Sequence, residues 1–198
     1  VQYGVGLGPL LLDLHPIPPA GMPGDGVALT PKQIPLWVSV QFGASSTYGV
    51  NMVAIIPIET PTLGDRSYLV HDGQVALVID PQRDIDRVLG LAEAAGVRIT
   101  HVFETHIHND YVTGGLALAR VTGAAYHVNA ADDVAYERVP IGDADVIEVS
   151  DALRIRVIAT PGHTYTHLSY TLESEGEHVG VFSGGSLLFG STGRPDLL

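Results

Sequence analysis

The sequence predicts a layered α/β domain with mixed sheets. Val75-Ala76-Leu77-Val78-Ile79 is an unbroken apolar run ended by Asp80-Pro81, the pattern of a strand buried on both faces. Asp84–Ala95 follows with Ile85, Val88, Leu89 and Ala92 at helical spacing, and Gly96 stands where a left-handed C-cap is wanted. After a second strand–helix pair the text turns to strands alone, which favours layers of mixed sheet with helices.

The other elements follow in order. Met52–Ile58 and Ser67–Val70 read as strands ahead of the apolar run. Ile99–Phe103 is the strand after the first helix. Thr113–Val121 reads as a second helix closed by Gly123, and Ala124–Val128 as the next strand. Asp145–Val149, Leu153–Ala159, Leu168–Leu172 and Val179–Phe182 complete the strand-rich part. No internal repeat is visible.

Residues 1–51 read differently. They hold 7 of the 13 prolines and three charged residues, Asp13, Asp25 and Lys32. Pro-rich pieces such as His15-Pro16-Ile17-Pro18-Pro19 propagate neither helix nor central strand. A Pro/Gly-rich disordered leader is expected there, with Met52 as a candidate natural start and 52–198 as the folded domain.

Composition narrows the function. A hydrophobic share of 45% against 16% charged residues suits a buried core. The formal net charge of −12, with Lys32 as the single lysine, argues against nucleic acid or an anionic membrane surface as partner. No apolar stretch is long enough to span a membrane. With no cysteine, thiolate catalysis and Cys-ligated metals are excluded, and a reducing, cytoplasmic location is expected. Any metal must rest on His, Asp or Glu.

Such residues stand directly behind a strand. In Glu104-Thr105-His106-Ile107-His108-Asn109-Asp110, extended backbone points His106, His108 and Asp110 the same way. A bare HxH is more simply a solvated strand edge, but HxHxD behind an apolar strand reads as a metal site. Thr160-Pro161-Gly162-His163-Thr164 follows another apolar strand, and its Pro-Gly turn can aim His163 back toward the sheet. Asp80 is expected to brace the ligand loop by hydrogen bonds. His167 has a minor claim as ligand; His15, His71, His101, His127 and His178 show no ligand spacing.

Leu77–Pro81, Glu104–Gly115 and Thr160–Thr164 resemble the successive motifs of the metallo-β-lactamase superfamily, and within it the persulfide dioxygenase and glyoxalase II branch. Ile79-Asp80-Pro81-Gln82-Arg83-Asp84 is similar to bacterial members often fused to rhodanese domains. The resemblance runs from about Met52 to the last residue. It implies an αββα sandwich, with the ending at Leu198 reading as a C-terminal truncation. In the dioxygenases one iron(II) is held by residues that map to His106, His163 and a later aspartate, whose place is taken by Gly185. In the dinuclear hydrolases the residue after Asp110 is a second-metal histidine and the later aspartate bridges. Here Tyr111 and Gly185 stand instead.

The resemblance therefore implies one metal, Fe(II) or alternatively Zn(II), on His106, His108 and His163. Asp110 serves as a fourth ligand, as an acceptor for a ligand imidazole, or as a catalytic base. Tyr111 is a candidate for orienting substrate. Arg194, in Gly193-Arg194-Pro195-Asp196, resembles the dioxygenases' Gly-Arg-Thr-Asp stretch and offers a fork for a substrate carboxylate; the plainer reading is a surface arginine in a turn. The expected function is oxidation of a glutathione-type persulfide with O2. Its alternatives are zinc-dependent thioester hydrolysis and a non-catalytic fragment. A fused or partner rhodanese domain and a homodimer are the expected macromolecular partners.

Overall fold

The structure, a computed structural model, describes residues 53–61, 64–188 and 191–192. The expected leader 1–51, the candidate start Met52 and Arg194 lie outside the described residues.

Six strands form the first sheet in chain order: β1 (Ala54–Thr60), β2 (Asp65–His71), β3 (Val75–Ile79), β4 (Arg98–Phe103), β5 (Ala125–Asn129) and β6 (Val139–Ile141). The first three pair antiparallel; β3 through β6 pair parallel. Helices make two of the three crossovers that parallel pairing requires, α1 (Ile85–Ala95) between β3 and β4 and α2 (Gly115–Thr122) between β4 and β5, while a loop joins β5 to β6. The second sheet is antiparallel, in the order β10 (Glu177–Phe182), β9 (Leu168–Ser174), β8 (Leu153–Ala159), β7 (Val146–Glu148). A short hairpin joins β11 (Leu187–Leu188) to β12 (Ser191–Thr192).

Strand β3 explains the layering. Its period-2 alternation sends Ala76 and Val78 to one face, where they meet Val88 and Ala92 of α1 and Leu118 of α2. Leu77 and Ile79 point to the other face, into a core shared with Phe103 and with Leu153, Ile155, Leu168 and Tyr170 of the second sheet. Helices, first sheet and second sheet thus form three of the four expected layers among the described residues. Leu77 is fully buried, and Leu77→Ala at such a site costs roughly 2–5 kcal/mol.

The second sheet's outer face is charged rather than uniformly apolar. Arg156 donates to Glu173 at 3.1 Å, Arg154 donates to Glu148 at 2.7 Å, and Arg154 approaches Glu173 at 3.8 Å. Val181 and Ile158 are exposed elsewhere in this sheet. Among the described residues no helix is long and apolar enough to cross a membrane.

The ends of the elements carry most of the differences from expectation. Helix α1 closes on Gly96 at φ 68°, as its glycine foretells. Helix α2 starts at Gly115 rather than Thr113, because Thr113 is drawn into an isolated antiparallel bridge with Gln82 and its hydroxyl accepts the Gly115 N–H at 2.9 Å. Strands β6, β11 and β12 were not expected. They have two or three residues each, too few for a periodic signal, and Pro140 interrupts β6.

His127 carries a pH signature. It is buried in β5, its ring stacked at 4.4 Å on Phe103 and 5.4 Å on His101, and neither ring nitrogen has a hydrogen-bond partner. Burial, with a smaller part from the charge on His101, pushes its pKa down to about 4. The unfolded chain, with an ordinary imidazole near 6.5, therefore binds a proton that the folded chain refuses. This contribution to stability is whole above about pH 6.5 and is lost as pH falls toward 4, by about 3 kcal/mol at most. The melting temperature is expected to drop between pH 7.5 and 5, and His127→Phe, which keeps a ring in the stack, is expected to flatten that slope.

Candidate metal centre

The site is built at the C-terminal ends of the parallel strands. Asp80 follows β3, and its backbone N–H still donates to Phe103 O at 2.9 Å, extending the pairing with β4. Its φ of 48° then turns the chain, a left-handed conformation that Asp tolerates better than most side chains. The carboxylate thereby reaches Thr105, accepting its N–H at Oδ1 and its hydroxyl at Oδ2, each at 2.7 Å. The second sheet holds the same residue from the far side: the Leu168 N–H donates to Thr105 O at 2.7 Å. Tyr170 OH donates to Glu104 O.

These bonds fix the two histidines of the loop. Thr105 has one hydroxyl proton, and Asp80 takes it, so the 2.9 Å contact with His106 Nδ1 makes that nitrogen the donor. His106 is left with a bare Nε2 lone pair. His108 is held by the opposite nitrogen: its Nε2 lies 3.3 Å from Asp80 Oδ1, 3.6 Å from Glu104 Oε2 and 3.0 Å from Tyr111 OH, which leaves Nδ1 free. Burial, with the charge on His108, depresses His106 to about 3, so it is the neutral imidazole that a metal requires. Burial also opposes protonation of His108, but the hydrogen bond to Asp80 and that carboxylate's charge outweigh it and raise its pKa.

The carboxylates around His108 differ in charge. Burial alone would raise Asp80; its hydrogen bond to His108, that residue's charge and the Thr105 donors hold it below its ordinary value. Glu104 is 1% exposed, and burial together with the charge on Asp80 pushes it up to about 8. It is a neutral acid at pH 7, accepting from Tyr126 OH at 2.9 Å and from Thr113 OH. Asp80, Glu104 and His108 bring ligand atoms within 4.8 Å of one another, the group among the described residues with that spacing. With both Asp80 oxygens committed to Thr105 and Glu104 neutral, the cluster is better suited to orienting His108 than to trapping a cation.

The sequence-derived set is only partly gathered. The rings of His106 and His108 lie 4.1 Å apart and those of His106 and His163 4.7 Å apart. His163 Nδ1 is buried without a partner. Asp110 stands on the exposed outer part of the loop, coupled to His108 by charge. The Tyr111 ring lies tilted against His108 at 4.2 Å, and burial raises its phenol far above the usual value, so it is a neutral hydroxyl. A Cβ on Gly185 would collide with the His163 ring, which occupies the space a side chain would need. A Cβ on Gly184, at φ 48°, would strike the Thr105 hydroxyl and His167 Nε2. The Ser183–Gly185 turn therefore presses directly on the ligand loop.

Sequence reasoning gave no role to Glu104 or Thr105. Their signal is a carboxylate and a hydroxyl following an apolar strand without a break. His167 is fully buried and stacked at 5.0 Å on His106, with Nδ1 on the Thr160 hydroxyl at 2.9 Å and Nε2 unpartnered.

Comparison with known proteins agrees with this architecture. Residues 62–197 match the metallo-beta-lactamase superfamily. Hydroxyacylglutathione hydrolase from Polaromonas sp. is 35% identical over 121 residues, 60% of this chain and 45% of that protein. The enzyme of the same name from Maricaulis maris is 33% identical over 125 residues, 59% of this chain and 46% of that protein. The chain spans about half the length of the curated relatives it matches. A metallo-beta-lactamase from Staphylococcus aureus subsp. aureus COL superposes with a TM-score of 0.68 at 32% identity, covering 74% of this chain and 45% of that one. ETHE1 from Myxococcus xanthus superposes with a TM-score of 0.64 at 32% identity, covering 71% of this chain and 61% of that one.

Two substitutions test the geometry. Thr105→Val removes the hydroxyl that sets the His106 tautomer and is expected to weaken metal binding roughly 10–100-fold with the fold retained. Gly185→Ala must displace His163, so metal affinity is expected to fall and stability to drop by roughly 1–3 kcal/mol. Titration with a chelator-buffered metal and thermal melts read both.

Proposed function

The chain belongs to the metallo-beta-lactamase superfamily, and within it we propose a mononuclear, metal-dependent enzyme of small thiol derivatives, a persulfide dioxygenase that oxidises a glutathione-type persulfide with O2. The observation that carries this reading is the state of the two positions that distinguish it from the dinuclear hydrolases. Tyr111 is a neutral phenol bonded to His108, and the His163 ring fills the space beside Gly185. Both changes favour a single, imidazole-dominated site, and Gly185 leaves it without the later aspartate that the resemblance assigns to the dioxygenases' iron.

The donors on offer are three imidazoles, His106 through Nε2, His108 through Nδ1 and His163 through a buried, unpartnered nitrogen, whose ligand atoms are not all within 4.8 Å of one another in the structure. His106, His108 and His163 would hold the ion, with Asp110 as the fourth candidate. When bound, iron(II) supplies open coordination positions and the redox chemistry that dioxygen needs. Asp80 and Thr105 keep the His106 donor nitrogen aimed without reorganisation. Tyr111 presents a hydroxyl beside His108 that can donate to or accept from a substrate. Arg194 is the proposed fork for a substrate carboxylate. A rhodanese domain, fused or separate, is the proposed partner, as a handler of sulfane sulfur.

A second reading, zinc-dependent thioester hydrolysis, is favoured by the hydroxyacylglutathione hydrolases among the relatives and by the three-imidazole donor set. Asp110, exposed and free of hydrogen bonds among the described residues, then acts as the base.

Iron-loaded protein is expected to consume oxygen with glutathione persulfide and to release sulfite. Absence of uptake at every iron occupancy, with stoichiometric zinc and thioester turnover, transfers the assignment to the hydrolase. His106→Ala is expected to abolish metal uptake under both readings. Unchanged metal content in that variant, with no upward shift of the wild-type melt on adding metal, leaves a non-catalytic domain.

A further inference from the structure

A hollow of about 510 Å³ lies beside the ligand loop, lined by Gln82, Arg83, Asp84, Tyr111 and Val112. Its size is that of a small-molecule site. Tyr111 connects it to the metal centre, since the side chain that walls the hollow also bonds His108 Nε2 at 3.0 Å.

The walls are fixed relative to each other. Gln82 and Thr113 form a β-bridge, and the Gly114 N–H donates to Pro81 O at 2.8 Å. A Cβ on Gly114 would run into the Gln82 carbonyl, so the two segments touch backbone to backbone. Arg83 is therefore carried on a segment locked to the loop that presents Tyr111.

Arg83 also differs from the other arginines of the described residues. Arg66, Arg87, Arg154 and Arg156 each have a carboxylate partner, and Arg138 donates to the Ala130 and Asp132 carbonyls. Arg83, Arg98 and Arg120 are exposed and make no hydrogen bond or ion pair among the described residues. Arg98 opens β4 at the end away from the ligand loop, and Arg120 lies in the last turn of α2, also away from it. Arg83 is the one at the site. The neighbouring Asp84 is drawn toward Arg87, 3.5 Å away, which offsets its negative charge. In a chain of net charge −12, an unpaired guanidinium beside the metal loop is where an anion meets attraction rather than repulsion.

We propose that this hollow seats the non-reacting part of the substrate, with Arg83 pairing with a carboxylate of a small anionic thiol compound. The inference rests on the thiol-substrate reading above and adds the residue that recognises the charge. The guanidinium fork suits a carboxylate, and the Tyr111 wall directs the sulfur end toward His106 and His108.

S-methylglutathione, which cannot react, tests this by calorimetric titration of the full chain. Arg83→Ala is expected to weaken its binding about tenfold and Arg83→Lys by less, because the charge remains without the fork. Arg98→Ala, an equal charge change at the far end, is expected to leave the affinity unchanged. S-methylglutathione diethyl ester, lacking both carboxylates, is expected to bind wild type and Arg83→Ala alike. Equal binding of S-methylglutathione by wild type and Arg83→Ala, an equal loss in Arg98→Ala, or no binding by wild type overturns the proposal. Arg83-dependent binding in a protein that turns over neither persulfide nor thioester keeps this inference and removes the proposed reaction instead.

Discussion

The bond between the Asp80 carboxylate and Thr105 is the constraint on which the rest of the site depends. Asp80 ends β3 and Thr105 stands two residues past β4, so the pair clamps the C-terminal ends of two parallel strands. By taking the Thr105 hydroxyl proton it decides which nitrogen of His106 is protonated. By lying 3.3 Å from His108 Nε2 it decides which nitrogen of His108 faces away. The clamp works because it is buried: in a low dielectric a charged acceptor of two short hydrogen bonds is strongly held. The left-handed turn at Asp80 brings the carboxylate across to Thr105.

The electrostatics around the clamp follow from the same burial. Asp80 and Glu104 share one pocket, and two adjacent buried carboxylates cannot both ionise at little cost. Asp80 keeps its charge because Thr105 and His108 donate to it. Glu104, whose donors are the weaker Thr113 and Tyr126 hydroxyls, takes the proton. The loop thus presents neutral His106 and a His108 oriented by an anion. Around it, Tyr111 lies against His108 and the Ser183–Gly185 turn packs on Thr105, His163 and His167. Glycine at 185 is a packing requirement here, because the His163 ring occupies its side-chain space.

Much was legible in the sequence because it rests on local periodicity. The unbroken apolar run at β3, the helical spacing from Ile85 to Ala92, the glycines at 96 and 123 and the alternation along β8 each encode one element and the faces it buries. The HxHxD run and His163 were legible as candidate ligands because their residue types have few other uses at the ends of apolar strands. The short strands β6, β11 and β12 left no periodic trace, and the start of α2 was set by a cross-chain bridge between Gln82 and Thr113.

The layered fold, the family and the residue types on offer to a metal are written in local sequence. Packing between distant segments settles how those residues are used. It set Glu104 neutral beside charged Asp80, put His167 against His106 with one nitrogen unpartnered, left Asp110 on the outer loop, and brought Arg83 and Tyr111 to one hollow. The physical reason is that charge state, tautomer and ligand access depend on neighbours contributed by distant segments. Asp80 and Thr105 are 25 residues apart, and Tyr170 reaches Glu104 across 66. No local pattern encodes such distances.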